Sequence, residues 1–193
     1  MREGFLRRET TETTVTLSIN LDQPGNCNVN TGIGFFDHML HLFAFRAGIS
    51  LDVKCEGDLH IDDHHSVEDV GIVLGQVLNQ ALGGKRGIAR YGTAWVPMDE
   101  SLAHCVLDIS GRGFLVFNAE FTTERAGDFS TEMTEEFFRA FAVNAGITLH
   151  INLDYGRNTH HMIEAIFKAF GLAIKQAIRI EEGGGIPSTK GLL

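Results

Sequence analysis

The chain predicts an α+β fold written twice. Three observations carry this reading. The string H-H-x-x-E occurs at residues 64–68 and again at 160–164. An apolar block of one design precedes each copy: "FFDHMLHLFAFRAGISLDV" (35–53) and "TEEFFRAFAVNAGITLHI" (134–151). A long stretch with apolar residues at helical spacing runs on from each motif.

Taken in order, "TTVTLSINL" (13–21) alternates as a strand. Phe36, Met39, Leu40 and Phe43 recur at helical spacing, and Gly48 sits where a helix C-terminal glycine belongs. "ISLDVKCEG" is the next strand. Val67, Val70, Val73, Leu74, Val77 and Leu78 predict a long helix over 64–82 with one face on a sheet. The glycines of "GGKRGIARYG" (83–92) break it, which divides the chain into repeats 1–86 and 87–193. "GTAWVP", "LAHCVLDIS" and "GFLVFNAEF" are the strands that open the second repeat. Phe137, Phe138, Phe141 and Ala142 mark its first helix, closed by Gly146, and "ITLHINLD" the strand after it. Ile163, Ile166, Phe167, Phe170, Ile174 and Ile178 predict a helix over 160–180. Gly48 falls on Gly146, Ile49 on Ile147 and Leu51 on Leu149. The architecture is an internal duplication, each copy a small sheet covered by two helices. The tail "EEGGGIPSTKGLL" reads as flexible or ordered by a ligand.

Composition narrows the function. A length of 193 residues with 44% hydrophobic content suits a folded globular protein. A net charge of −9 argues against a nucleic-acid binder, which needs a basic surface. Cys27, Cys55 and Cys105 are widely spaced with no C-x-x-C, so a reducing compartment and buried apolar roles are expected. "MREGFLRRETTETT" has no apolar run, and no segment approaches the ~18 apolar residues of a membrane span. The expected location is the cytoplasm.

The histidine pairs point to metal. On a helix, residues i and i+4 share a face while i+1 is turned by about 100°. His64 and Glu68 converge on one ion and His65 serves a second; His160, Glu164 and His161 repeat the arrangement. One such motif is weak evidence, but a matched pair in two halves of a duplicated chain is strong. Two metals are expected, each with ligands from both copies. Imidazole and carboxylate suit manganese, iron, zinc, cobalt or nickel. His38 in "FFDHML" occupies the position of Glu136 in "TEEFF", 26 and 24 residues before their pairs, so both are candidate ligands. His41, His60, His104 and His150 have no such partner and read as ordinary, with His60 and His150 on strands.

"FFDHML", "GDLHIDDHHSVEDVGIVLG", "GIARYG", "PMDESL", "DISGR", "ITLHI", "NTHHMIEAIFKAFG" and "PSTKG" resemble, in order, the signatures of the imidazoleglycerol-phosphate dehydratase family. The resemblance runs from Glu12 in "RRETTET" to the terminal "PSTKGLL". It implies a hydro-lyase of histidine biosynthesis that converts imidazole glycerol phosphate to imidazole acetol phosphate. It implies two manganese ions per active site, held by His38, His64, His65, Glu68, His160, His161 and Glu164. The family carries a histidine where this chain has Glu136; a carboxylate there still qualifies as a ligand. The implied fold is a duplicated α+β unit resembling a domain of a ribosomal protein. The implied assembly is a large cubic-symmetry homo-oligomer with active sites between neighbours.

The same resemblance gives the remaining roles. Glu12, Asp99 and Glu164 match carboxylates near the reacting carbons, and Arg90, Arg112, Ser188 and Lys190 match phosphate-binding positions. Lys168 matches the second helix, four residues after Glu164. The carbon proton to be lost is not acidic, and no carbonyl holds the charge. Metal on the ring nitrogens favours imidazolate, which expels the hydroxyl through a diazafulvene-like intermediate. Two rival readings use the same ligands: a two-metal phosphatase, and a metal-holding assembly protein. The first is disfavoured by the histidine-rich pairs, the second by the phosphate-binding set.

Overall fold

A computed structural model describes residues 1–181 and 183–193. The elements are β1 (Glu3–Glu9), β2 (Thr13–Asn20), β3 (Cys27–Asn30), α1 (Gly34–Ala47), β4 (Ser50–Gly57) and α2 (His64–Leu82), then β5 (Tyr91–Met98), β6 (Ser101–Asp108), β7 (Phe114–Asn118), β8 (Arg125–Ala126), β9 (Phe129–Ser130), α3 (Met133–Ala145), β10 (Thr148–Tyr155) and α4 (Thr159–Ala177). The two four-stranded sheets have one topology, β1-β2-β4-β3 and β5-β6-β10-β7. In each, the third strand pairs antiparallel with a hairpin strand and parallel with the edge strand. The registers agree too, since Asn20 faces Ser50 as Asp108 faces Thr148. This is the duplicated α+β fold that the sequence predicts.

Four strands were not expected. β1 buries Gly4 and half-buries Leu6 and Arg8, so the inward positions carry no apolar alternation that would mark it in the sequence. β3 has four residues, and β8 and β9 two each, too short for a periodic signal. β7 stops at Asn118, three residues before the expected end, and α4 stops at Ala177 rather than 180. His60 lies in a turn, not on a strand, because β4 has already ended at Gly57.

Each short helix ends as its glycine requires. Gly48 and Gly146 adopt φ of 69° and 66°, and their N–H groups return to helix carbonyls. A side chain in that left-handed region is strained, so glycine is the natural stop.

The helices cross between repeats. α2 lies on β1 and β2, and α4 on β5 and β6, but α1 packs on α4 and α3 on α2. Glycine makes each crossing close, Gly71 and Gly75 on α2 and Gly171 on α4. A Cβ at Gly75 would sit 2.6 Å from the Phe141 carbonyl oxygen, and one at Gly171 would sit 2.8 Å from that of Phe43. These are the same contact, copied by the duplication. One continuous apolar core results, with Phe36, Phe43, Phe137, Phe138, Phe141, Phe167 and Phe170 fully buried. Cys55 and Cys105 are buried in it, whereas Cys27 is half-buried, and burial pushes the Cys55 thiol up to about 11. No described helix is long and apolar enough to cross a membrane.

The crossing positions the candidate ligands. It lays the second turn of α1 on the start of α4, and the first turn of α3 beside the start of α2. The described tail residues are tied to the second repeat. Gly87 N–H donates to the Gly185 carbonyl at 2.7 Å, and Arg90 Nη1 donates to the Pro187 carbonyl at 2.8 Å.

Candidate active site

His38, His160 and Glu164 converge. Each offers one ligand atom, and these atoms lie within 4.8 Å of one another. Glu164 Oε2 is 3.1 Å from His160 Nε2 and 3.7 Å from His38 Nε2. The two residues of α4 share a face because they are four apart. The Asn158 side chain caps α4 by accepting from the His161 N–H. The Phe35 ring meets His160 edge-on, with ring centroids 5.0 Å apart. Glu164 is buried, which pushes its carboxyl pKa up. The Lys168 ammonium, 2.5 Å from Oε1, together with His160 and His38, more than offsets that and holds it below the ordinary value. Glu164 therefore stands as a carboxylate.

The matching place in the other crossing holds His64, Glu68 and Glu136. His64 Nε2 is 3.8 Å from Glu68 Oε2. His64, Glu132, Glu135 and Glu136 line one cleft of about 350 Å³. Glu136 shares that cleft with His64, but its carboxylate leans toward Arg139 Nε at 3.4 Å, and among the described residues His64, Glu68 and Glu136 do not converge as His38, His160 and Glu164 do. Among the described residues, no ion pair or hydrogen bond joins 64–68 to 160–164 within the chain.

The second histidine of each pair faces other carboxylates. His65 donates through Nδ1 to Asp58 at 2.9 Å, and its Nε2 faces Glu12 at 3.7 Å. His161 donates through Nδ1 to Glu100 at 2.8 Å, and its Nε2 faces Asp99 at 3.8 Å. The hydrogen bonds to Asp58 and Glu100 are the main reason both imidazole pKa values rise. The Glu100 carboxyl falls well below its ordinary range, first through His161 and then through the Asn158 N–H. Sequence reasoning missed Asp58 and Glu100. Both stand inside quoted motifs, "GDLH" and "PMDESL", but no spacing ties either to a histidine.

Arg90, Arg112, Ser188 and Lys190 line one cleft of about 850 Å³, with Ser110 and Pro187. Their cationic groups are not equivalent. Arg90 is engaged, with Nε 2.6 Å and Nη2 3.0 Å from the two Asp108 oxygens. Arg112 is largely exposed, and its guanidinium comes no closer than 4.0 Å to Asp108. Lys168 lies elsewhere, on Glu164 and 3.4 Å from Met98 Sδ. His104 pairs with Asp154 at 2.8 Å and stacks on Trp95, away from both clusters.

A duplicated α+β chain that gathers imidazole and carboxylate donors from both repeats defines a candidate metalloenzyme. Comparison with known proteins makes the class specific. The sequence pattern of imidazoleglycerol-phosphate dehydratase matches residues 31–174. The chain is 59% identical to the imidazoleglycerol-phosphate dehydratase of Acetivibrio thermocellus, over 100% of this chain and 99% of that one. It is 58% identical to that of Clostridium acetobutylicum, over 98% and 97%. Crystal structures of the Staphylococcus aureus and Pyrococcus furiosus dehydratases superpose with TM-scores of 0.85 each. They are 47% and 34% identical, covering 93% and 97% of this chain and 99% and 100% of theirs. The chain belongs to the imidazoleglycerol-phosphate dehydratase family, whose members are lyases.

Proposed function

We propose that this chain dehydrates imidazole glycerol phosphate to imidazole acetol phosphate in histidine biosynthesis, with two manganese ions per active site. The observation that carries the reading is the convergence of His38, His160 and Glu164 in a member of this family. The donor chemistry fits the metal, since imidazole nitrogens and an ionised carboxylate suit manganese. His64, Glu68 and Glu136 are the counterpart set, and His65 and His161 present one nitrogen each. Bound manganese supplies Lewis acidity that favours the deprotonated substrate ring.

The chain's own residues do the rest. Glu12 and Asp99 flank the free nitrogens of His65 and His161 and suit the substrate hydroxyls. Glu164, anionic beside Lys168, suits proton transfer. The hydroxyl beside the ring leaves with a proton as water through a diazafulvene-like species. The next carbon then gives up its proton to a carboxylate, and the resulting enol tautomerises to the ketone. A positioned acid or base contributes ~10²–10⁴-fold. Arg112, Ser188 and Lys190 bind the phosphate, and Arg90 both lines that cleft and anchors the tail over it. Arginine's planar fork matches phosphate oxygens. The salt bridge to Glu164 supports a role for Lys168 at the reacting end of the substrate.

His65 and His161 direct their Nε2 atoms toward Glu12 and Asp99 rather than into the His38–His160–Glu164 and His64–Glu68 pairings, so one chain leaves ligands unshared, which supports a homo-oligomer of cubic symmetry in which a neighbour completes each site. The family's place in amino-acid biosynthesis supports a cytoplasmic location. The test is to add imidazole glycerol phosphate and manganese to the purified chain. Keto product supports the dehydratase. Release of inorganic phosphate would instead support a two-metal phosphatase, and no turnover with metal retained would support a binding protein.

A further inference from the structure

We infer that Asp58 and Glu100 are positioning residues that hold His65 and His161 as the Nδ1–H tautomer, leaving each Nε2 as the ligating atom. The inference deepens the metal reading proposed above and rests on it.

A neutral imidazole has one donor nitrogen and one acceptor, and an ionised carboxylate only accepts. The nitrogen facing such a carboxylate therefore carries the hydrogen, and the lone pair is left on the other. His65 Nδ1 is 2.9 Å from Asp58 Oδ2 and His161 Nδ1 is 2.8 Å from Glu100 Oε2. Both carboxylates are mostly shielded, with 15% and 25% of their side-chain surface exposed. Glu100 is fixed through its other oxygen, which accepts from the Asn158 N–H at 2.7 Å and the Arg157 N–H at 3.2 Å. Among the described residues, Asp58 bonds its histidine alone through its carboxylate, since its buried Oδ1 has no hydrogen-bond partner there.

The two carboxylates are not copies of each other. Asp58 is the residue after β4, and the residue after β10 is Gly156. A Cβ at Gly156 would sit 2.5 Å from Ser101 Oγ and 2.7 Å from Met162 Cγ, so no carboxylate fits there. Glu100 comes instead from the β5–β6 hairpin, immediately before β6. The residue immediately before β2 is Glu12. Yet Glu12 stands on the Nε2 side of His65, and in the second repeat Asp99 takes that side. Each histidine thus ends with one carboxylate at each nitrogen, from positions that do not align. Inheritance from the duplication does not produce this pattern, whereas a requirement for the same imidazole geometry in both repeats does.

The test uses the full-length chain, labelled with ¹⁵N-histidine and stripped of metal. Long-range ¹H–¹⁵N spectra above the imidazole titration range report each tautomer, and electron paramagnetic resonance of free manganese reports affinity. His65 and His161 should show Nδ1–H. Asp58→Ala and Glu100→Ala should shift the matching ring toward the Nε2–H form and weaken manganese binding ~10–100-fold. Asp58→Asn and Glu100→Gln, which keep the shape and lose the charge, should give intermediate losses and guard against misfolding. An Nε2–H ring in the wild-type chain, or unchanged manganese affinity in the folded alanine variants, would overturn the inference. A wild-type chain that binds no manganese would sink the metal reading instead, while the metal-free spectra still decide the tautomer.

Discussion

Nε2 of His38 lies 3.7 Å from Oε2 of Glu164, although the two belong to different repeats. The helix crossing explains it, because α1, while still resting on β3 of its own sheet, packs mainly on α4. His38 is about half exposed and makes no other described ion pair. His38→Ala should therefore remove manganese from this centre and change metal-free stability by no more than ~0.5 kcal/mol. Glu164→Gln should differ, because it leaves the Lys168 ammonium without its partner in a mostly buried site. Breaking such a pair costs about 3–5 kcal/mol. Thermal melts and metal content on both variants check the contrast.

Gly171 governs the same crossing from the backbone. An added Cβ would meet the Phe43 carbonyl at 2.8 Å, so α1 must move away from α4. Gly171→Ala should destabilise the chain by about 1–3 kcal/mol. It should also weaken metal binding, because His38 rides on the helix that shifts. Gly75→Ala should show the same stability loss through the α2–α3 contact.

The β8–β9 hairpin, present only in the second repeat, supplies the cap that α1 lacks. Asp128 accepts the N–H groups of Gly34 at 2.7 Å and Phe35 at 3.1 Å. Asp128→Ala should cost ~1 kcal/mol, read as a lower melting temperature.

His65 and His161 give a pH signature. Their folded pKa values lie above the ordinary 6.5. A raised histidine pKa contributes stability that is fully present below the unfolded value and lost as pH rises through the folded one. The metal-free chain should thus lose stability as pH climbs above about 6.5, an effect that Asp58→Asn and Glu100→Gln should reduce. Manganese affinity should run the opposite way, rising over the same window, because ligation needs neutral imidazole. Melts and metal titrations across pH 6–8 read both trends.

In the cleft proposed to take the substrate phosphate, Arg112 and Arg90 should separate. Arg112→Ala should raise KM with little effect on stability, since the guanidinium is largely free. Arg90→Ala should also release the tail, which Arg90 holds at Pro187. Proteolysis at Lys190 should speed up in Arg90→Ala and slow in the wild-type chain with a substrate analogue.

The duplication was legible because it leaves apolar periodicity and matched motifs, and both helix-ending glycines fell where the register put them. His38 as a counterpart of Glu136 followed from the same alignment. What the sequence hid was the exchange of helices. Apolar spacing shows that α1 has a buried face, not which repeat buries it. Gly75 and Gly171 look like ordinary helical glycines until the facing carbonyl is known. Asp58 and Glu100 were hidden for a similar reason, because a strand end and a hairpin reach their histidines only in three dimensions. The short strands β3, β8 and β9 have too few residues for any period to declare itself.

Anomalous scattering from crystals grown with manganese tests the central claim most directly. A centre built by the crossing of the repeats predicts a manganese peak bonded to His38 Nε2, His160 Nε2 and Glu164 Oε2. Full manganese occupancy elsewhere, with no peak among these three atoms, would contradict it.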